Sequence, residues 1–137
     1  MRVVLDTCIL FSALRSSSGA SFRIVRSLPE KRFRPLVSTP VFFEYEEVLL
    51  RAGQFPHLTE SDIQDFLDFV AGSCEHCKIS FLWRPTLPDP NDDLILELAV
   101  SGQADAIVTY NLRDFAGSER FGIRLLRPAQ FIKEIKL

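Results

Sequence analysis

The stretch 89-DPNDDLILELAVSGQADAIVTYNLRDF-115 carries the signals of a helix, a strand and an acidic loop in succession. Asp89 is a typical N-cap residue, and Pro90 suits the first turn of a helix. Gly102 predicts the end of this helix, and the apolar run 105–109 predicts a buried strand after it. A helix that leads directly into a buried strand is typical of a parallel α/β fold.

The rest of the chain repeats this alternation of strands and helices. Short β-branched or apolar runs predict further strands over residues 2–5, 34–38, 78–82 and 122–126. Helical spacing of apolar residues predicts helices over residues 22–28, 40–53, 58–72 and 128–137. No Asn-Gly hairpin signal separates the strands, so right-handed crossovers between parallel strands are expected. We therefore predict a three-layer α/β/α sandwich with a mainly parallel sheet of four to five strands.

Size and composition indicate an ordinary globular protein. The chain has 137 residues, the usual size of one domain, and we expect a single domain over residues 1–137. Hydrophobic residues make up 47% of the chain and charged residues 25%, which predicts a packed core. No apolar stretch is long enough to span a bilayer, so we expect no membrane association. Three cysteines are too few for a disulfide scaffold, which favours the reducing cytoplasm.

The charge of the chain is unevenly distributed. The formal net charge of −2 gives by itself no support for a nucleic-acid partner. Residues 15–34, however, contain six cations and only one acid. Such a segment can contact phosphate groups, or it can be the solvated face of a helix and a loop.

Acidic residues follow the predicted strands at the same edge of the predicted sheet. In an open parallel sheet this edge, where the strands end and the next helices begin, is where ligands bind. Acids from four separate segments meet there, together with one asparagine: Asp6 after the first strand, Glu44 in the helix after the second, Asp92 and Asp93 at the start of the helix after the third, and Asn111 and Asp114 after the fourth.

Each of these acids also has an ordinary structural explanation, because caps and first-turn acids are common in helices. Several carboxylates in one crevice nevertheless repel one another, and a divalent cation removes that repulsion. Carboxylate oxygens favour Mg²⁺ or Mn²⁺. Such a site suits phosphodiester hydrolysis, because a bound metal activates the attacking water and stabilises the leaving oxygen.

Other chemistries find less support in the sequence. Walker, GxGxxG and GxSxG motifs are absent, so nucleotide switching, dinucleotide binding and serine hydrolysis have no motif. Cys74 and Cys77 form a CxxC, but a zinc site needs about four ligands and a second pair is missing. A phosphoacceptor receiver domain would share the acidic edge, but it needs a lysine that the late strands do not offer.

In the order of its acids, the sequence resembles the PIN-domain family over nearly the whole chain. The segment VVLDTCIL (3–10) resembles the family's strand and DTN opening, so Asp6 corresponds to its first metal-site acid. STPVFFEYEEVL (38–49) resembles the segment with the second acid, which aligns with Glu44. Residues 89–115 resemble a variant associated with the toxins of toxin–antitoxin systems, in which Asp92 and Asp114 are the third and fourth acids and Asn111 is a neighbouring polar group.

Three positions stay open at this stage. Helical spacing alone does not choose between Glu44 and Glu46, although the resemblance chooses Glu44. Asp93 can replace Asp92 as a ligand, since both lie in the same first turn. Cys8 stands where the family usually has asparagine, a substitution that could weaken the site without abolishing it.

The resemblance implies a Mg²⁺- or Mn²⁺-dependent endoribonuclease with the catalytic residues Asp6, Glu44, Asp92 and Asp114, and with Asp93 and Asn111 as further metal ligands. It also implies an RNA substrate, a role as the toxin of a toxin–antitoxin pair, and a small antitoxin as partner. Phenylalanine-rich helices, with Phe42, Phe43, Phe66 and Phe69, additionally suggest a homodimer. The alternative, favoured by Cys8 and the negative net charge, is a catalytically inactive PIN-like module that binds RNA or a protein.

Overall fold

The computed structural model describes residues 1–79 and 87–137, and within them a five-stranded parallel sheet forms the centre of the protein. The strands are β1 (Arg2–Leu5), β2 (Arg34–Val37), β3 (Glu75–His76), β4 (Ala106–Val108) and β5 (Arg124–Leu126). They lie in the order β3-β2-β1-β4-β5, and each neighbouring pair is parallel. The predicted parallel sheet is therefore confirmed, with β1 at its middle.

Within the same described residues, six helices flank this sheet, which confirms the predicted α/β sandwich. They are α1 (Thr7–Arg15), α2 (Ala20–Arg26), α3 (Thr39–Leu49), α4 (Glu60–Ser73), α5 (Pro90–Ser101) and α6 (Pro128–Glu134). Short 3-10 helices cover Leu28–Glu30, Leu112–Phe115 and Ser118–Phe121. No helix in the described part of the chain is both long and apolar enough to cross a membrane.

Local hydrogen bonds explain why several helices begin where the sequence predicts. The Asp89 side chain accepts a hydrogen bond of 2.9 Å from the Asn91 N–H, and Pro90 occupies the first turn of α5. At α4, Thr59 and Asp62 form a capping box in which each side chain accepts from the other's backbone N–H. These caps satisfy N–H groups that the helix itself leaves free.

Helix α3 ends earlier than predicted, at Leu49 instead of near Gly53. The amide of Gln54 folds back and donates to the carbonyl oxygens of Val48 (2.7 Å) and Arg51 (3.2 Å). The last carbonyl groups of a helix have no partner within the helix. Here the Gln54 side chain provides hydrogen bonds at this end, so the chain can leave the helix after Leu49. Gly53 then adopts a φ of 81°, the left-handed conformation of the turn that follows.

The prediction of a third strand over residues 78–82 is wrong for residues 78 and 79. Strand β3 lies at Glu75–His76 and pairs with the end of β2, while residues 78 and 79 belong to no strand and residues 80–82 lie outside the described residues. The Cys77 N–H still donates to the Val37 carbonyl at 2.7 Å. After Val37 the chain turns into α3, so β2 offers no further backbone for a longer β3 to pair with.

One buried contact fixes α3 against the end of β1. Tyr45 is 1% exposed, and its hydroxyl donates to the Leu5 carbonyl at 2.6 Å. Leu5 is the last residue of β1, and Asp6 follows it directly. The contact therefore sets where α3 stands relative to the acidic edge of the sheet.

Candidate metal centre

A cavity of about 270 Å³ opens at the edge of the sheet where β1 and β4 end. The structure brings five of the six predicted site residues to its wall: Asp6 after β1, Glu44 on α3, Asp92 in the first turn of α5, and Asn111 and Asp114 after β4. The remaining lining residues are Thr7, Cys8, Val48, Arg51, Asp89, Asn91 and Ile95. Four segments far apart in sequence thus meet in one small space.

Asp6 is the most buried and the most tightly held of these acids. Its side chain accepts hydrogen bonds from the Thr7 N–H (2.8 Å), the Thr109 hydroxyl (2.7 Å) and the Cys8 thiol (3.2 Å). Burial nevertheless raises the pKa of Asp6 above its ordinary value, and these hydrogen bonds offset that rise only in part. The carboxylate is therefore oriented in advance at the floor of the cavity.

Cys8 is a hydrogen-bond donor at this floor. Burial, and then the charge of Asp6, raise the pKa of the Cys8 thiol to about 12. The thiol stays protonated at neutral pH, so its proton is available to the Asp6 oxygen at 3.2 Å. Cysteine thus performs here a positioning task that an amide N–H could also perform.

The remaining acids repel one another across the cavity. Two causes together raise the pKa of Asp92 to about 7. The larger cause is burial, and the second is the negative charge of nearby acids, namely Asp6, Asp89, Asp114 and Asp93. The pKa of Glu44 is also raised, first by burial and then by nearby acids, while Arg51 opposes the rise. Carboxylates with raised pKa values in a cleft are a common property of functional sites.

Glu44, and not Glu46, lines the cavity, so the structure distinguishes two residues that helical spacing left open. Asp92 and Asp93 differ in the same way, because Asp92 lines the cavity and Asp93 is not among the lining residues. The Asp93 side chain instead accepts a hydrogen bond of 3.0 Å from the Leu87 N–H. The geometry therefore favours Glu44 and Asp92 as the groups that face a ligand.

Thr109 and Arg51 also belong to the site, although neither is among the residues that the sequence predicts for it. Thr109 is fully buried, and its hydroxyl donates to Asp6 while it accepts from the Asn111 N–H at 2.9 Å. In the sequence, Thr109 could have been recognised by its position at the end of the predicted fourth strand, two residues before Asn111. Arg51 lies just beyond the end of α3 at Leu49 and lines the same cavity as Glu44. Asp89 both caps α5 and lines the cavity.

The donor set fits a hard divalent cation. Five carboxylates face one cation, Arg51, among the described residues that line the cavity. No three His, Cys, Asp or Glu side chains in residues 1–79 and 87–137 stand close enough to form a ready metal-binding group. Mg²⁺ needs no such group, because it commonly takes one or two carboxylates directly and keeps several waters. An ion bound by Asp6 and its neighbours through water would remove their repulsion.

Neither the basic segment nor the CxxC belongs to this centre. Lys31, Arg32 and Arg34 lie near the start of β2, at the opposite edge of the sheet. Cys74 and Cys77 are free thiols, and burial raises the pKa of Cys74 to about 12. No metal-binding group includes them in the part of the chain that the structure describes.

Comparisons with known proteins agree with this architecture. A family model described as PIN domain matches residues 2–113 of the chain. No curated protein matches the sequence. One similar solved structure is that of VapBC2 from Rickettsia felis bound to a DNA fragment from their promoter. It aligns with a TM-score of 0.63 and 18% identity over 93% of this chain and 98% of that chain, so it shares the fold.

Proposed function

This chain belongs to the PIN domain family, and from this premise we propose that it is a single-domain, metal-dependent endoribonuclease. Proteins of this family are generally nucleases. The observation that carries the proposal is the convergence of Asp6, Glu44, Asp92 and Asp114 on one cavity. Burial and then their mutual repulsion bring the pKa of Asp92 to about 7, which gives the cavity a physical reason to bind a divalent cation.

Each residue of the cavity has a distinct task in this proposal. Asp6, Glu44, Asp92 and Asp114 would hold Mg²⁺ or Mn²⁺ directly or through water, with Asn111 as a neighbouring polar group and Asp93 behind Asp92. When bound, the metal supplies an activated water and neutralises charge on the phosphate. Thr109 and Cys8 hold Asp6 in position. Arg51 offers its guanidinium to a phosphate that enters between the acids.

The wider role that we propose is that of the toxin in a toxin–antitoxin pair, acting on RNA in the cytoplasm. Two observations support it: the resemblance of residues 89–115 to such toxins, and a fold shared with VapBC2. A small antitoxin protein would be the partner that blocks the cavity. The free state of all three cysteines is consistent with a reducing compartment.

The test is cleavage of a mixed RNA substrate by purified, antitoxin-free protein with Mg²⁺, Mn²⁺ or EDTA. Wild type should cut with either metal and not in EDTA, and Asp92→Asn should not cut. Asp65→Asn is the matched control, because Asp65 is an exposed acid on α4 outside the cavity. Circular dichroism establishes that both variants are folded. Retained cutting by Asp92→Asn would refute the assignment of the site.

A second candidate, the non-cleaving binding module, is favoured by two observations. The described residues contain no preformed group of three metal-binding side chains, and Cys8 replaces the asparagine usual in the family. Calorimetric titration with Mn²⁺ separates the two functions. A nuclease should show saturable binding that Asp92→Asn weakens, whereas a binding module need show no heat.

A further inference from the structure

A second and larger cavity, of about 590 Å³, lies at the edge of the sheet opposite the carboxylates. The starts of three strands form part of its wall, through Arg2 on β1, Arg34 on β2 and Glu75 on β3. The loop before β2 adds Lys31 and Arg32. Nothing in the proposed cleavage reaction uses this cavity.

The charge of this cavity is the reverse of that of the metal centre. Its wall contains four cations, Arg2, Lys31, Arg32 and Arg34, and one acid, Glu75. Glu30 lies outside the wall and pairs with Arg32 at 2.9 Å. With Glu30 and Glu75 both counted against the four cations, the cavity keeps an excess of two positive charges. The metal centre has five carboxylates and one arginine. The two edges of the sheet therefore have opposite potentials.

A fixed ion pair supports the exposed cations. Two nitrogens of Arg2 contact the Glu75 carboxylate at 3.1 and 2.6 Å, and Arg2 also donates to the Gly102 carbonyl. This contact with Arg2 holds the pKa of Glu75 below its ordinary value. Arg34 meets the same carboxylate at 3.4 Å with a side chain that is 64% exposed. Lys31 takes part in none of the ion pairs found among the described residues.

We propose that this cavity binds the phosphate groups of a nucleic-acid strand at a distance from the cleavage site. Arginine forks match phosphate oxygens in geometry and charge. Among the described residues, Phe33 is the one aromatic residue of the wall and is only 6% exposed, so this part of the surface offers phosphate contacts without a platform for stacking bases. Contacts of this kind position a strand and carry no sequence preference.

The choice of a nucleic acid over an acidic peptide rests on the proposed function. The chain has a net charge of −2 and a strongly acidic cleavage cavity, both of which repel an RNA strand. A nuclease with these charges needs a cationic surface elsewhere to retain its substrate, because phosphate contacts dominate the affinity for nucleic acids. The basic cavity meets that need.

The test is binding of labelled single-stranded oligouridylate, followed by fluorescence anisotropy in EDTA over a range of KCl concentrations. The variant is Lys31→Asn with Arg32→Gln. Lys31 has a φ of 56°, a conformation that asparagine tolerates well, and glutamine at position 32 can keep a hydrogen bond to Glu30. The matched control is Lys78→Asn with Arg120→Gln, two exposed cations outside the cavity.

The expected result is weaker binding by the cavity variant alone. Each phosphate contact contributes about 0.7 to the slope of log K against log salt for single strands, so the variant should lower this slope by about 1.4. An unchanged slope, or an equal fall in the control, would overturn the proposal. Competition by poly-glutamate as effective as that by unlabelled RNA would overturn the choice of nucleic acid. Because EDTA prevents cleavage, these outcomes are independent of whether the metal centre is a nuclease.

Discussion

Replacing Asp92 with asparagine should stabilise the metal-free protein at alkaline pH while it abolishes metal-dependent activity. In the folded chain the pKa of Asp92 is raised from 3.8 to about 7, first by burial and then by the acids around it. Between these pH values the folded state keeps a proton that the unfolded state has lost, so stability falls as the pH rises through this range. Asparagine carries no charge and removes this loss.

The size of this gain in stability follows from the shift in the pKa of Asp92. At about 1.4 kcal/mol per pKa unit, the rise from 3.8 to about 7 corresponds to roughly 4 kcal/mol. Asp92 is only partly buried, and solvent screening reduces this to about 2 kcal/mol. With a typical urea m-value for a small domain, that is a rise of about 1 M in the midpoint of unfolding.

The assay is urea unfolding of wild type and Asp92→Asn in EDTA at pH 8 and pH 4. At pH 8 the variant should be the more stable protein, and at pH 4 the two midpoints should agree. Mn²⁺ at about 100 times its Kd should then stabilise wild type at pH 8 by about 2.7 kcal/mol and the variant by much less. A variant less stable than wild type at pH 8 would refute the raised pKa of Asp92 on which the metal centre is argued.

Three further substitutions test the neighbouring contacts. Thr109→Val should reduce the free energy of unfolding, measured in urea, by about 2 kcal/mol, because it removes the 2.7 Å hydrogen bond to buried Asp6. Thr109→Ser keeps this hydrogen bond, so equal unfolding midpoints for the two variants would contradict the prediction. Cys8→Ala should weaken Mn²⁺ binding about tenfold in calorimetry, and Cys8→Asn, which restores a donor, should not; an unaffected Cys8→Ala would exclude a positioning role. Phe43 is 60% exposed and is a candidate homodimer contact, so Phe43→Ser should shift sedimentation from dimer to monomer. A wild type that is monomeric at high concentration would contradict the dimer.

The fold could be predicted where local signals and pairing partners agree. Asp89, Pro90 and Gly102 mark the ends of α5 through caps that involve only neighbouring residues, and the structure has them where the sequence predicts. Strand β3 was misplaced, because its position depends on where β2 ends, and that is a long-range property. The run KISFL (78–82), with three apolar residues, gave a stronger local pattern than the short pair Glu75–His76.

The grouping of the candidate site's acids could be predicted as far as topology allows. The rule that parallel strands end at one edge brings Asp6, Glu44, Asp92 and Asp114 together without any side-chain detail. Which of two nearby acids faces the cavity is decided by side-chain direction, as the bond from the Leu87 N–H to Asp93 illustrates. The sequence left open whether the basic segment contacts phosphate or is a solvated face, and its location opposite the carboxylates follows only from the register of β1 with β2.

Glu44 and Glu46 offer the most direct test of the central claim, that the carboxylate cavity is a metal-dependent ribonuclease centre. Both acids lie on α3, two residues apart, and only Glu44 lines the cavity. The measurement is RNA cleavage in Mn²⁺ by wild type, Glu44→Gln and Glu46→Gln, with EDTA as the blank. We predict that Glu44→Gln loses at least about a hundredfold in rate, comparable to removing one group that stabilises transition-state charge, while Glu46→Gln cuts like wild type. Equal rates for the two variants would contradict it.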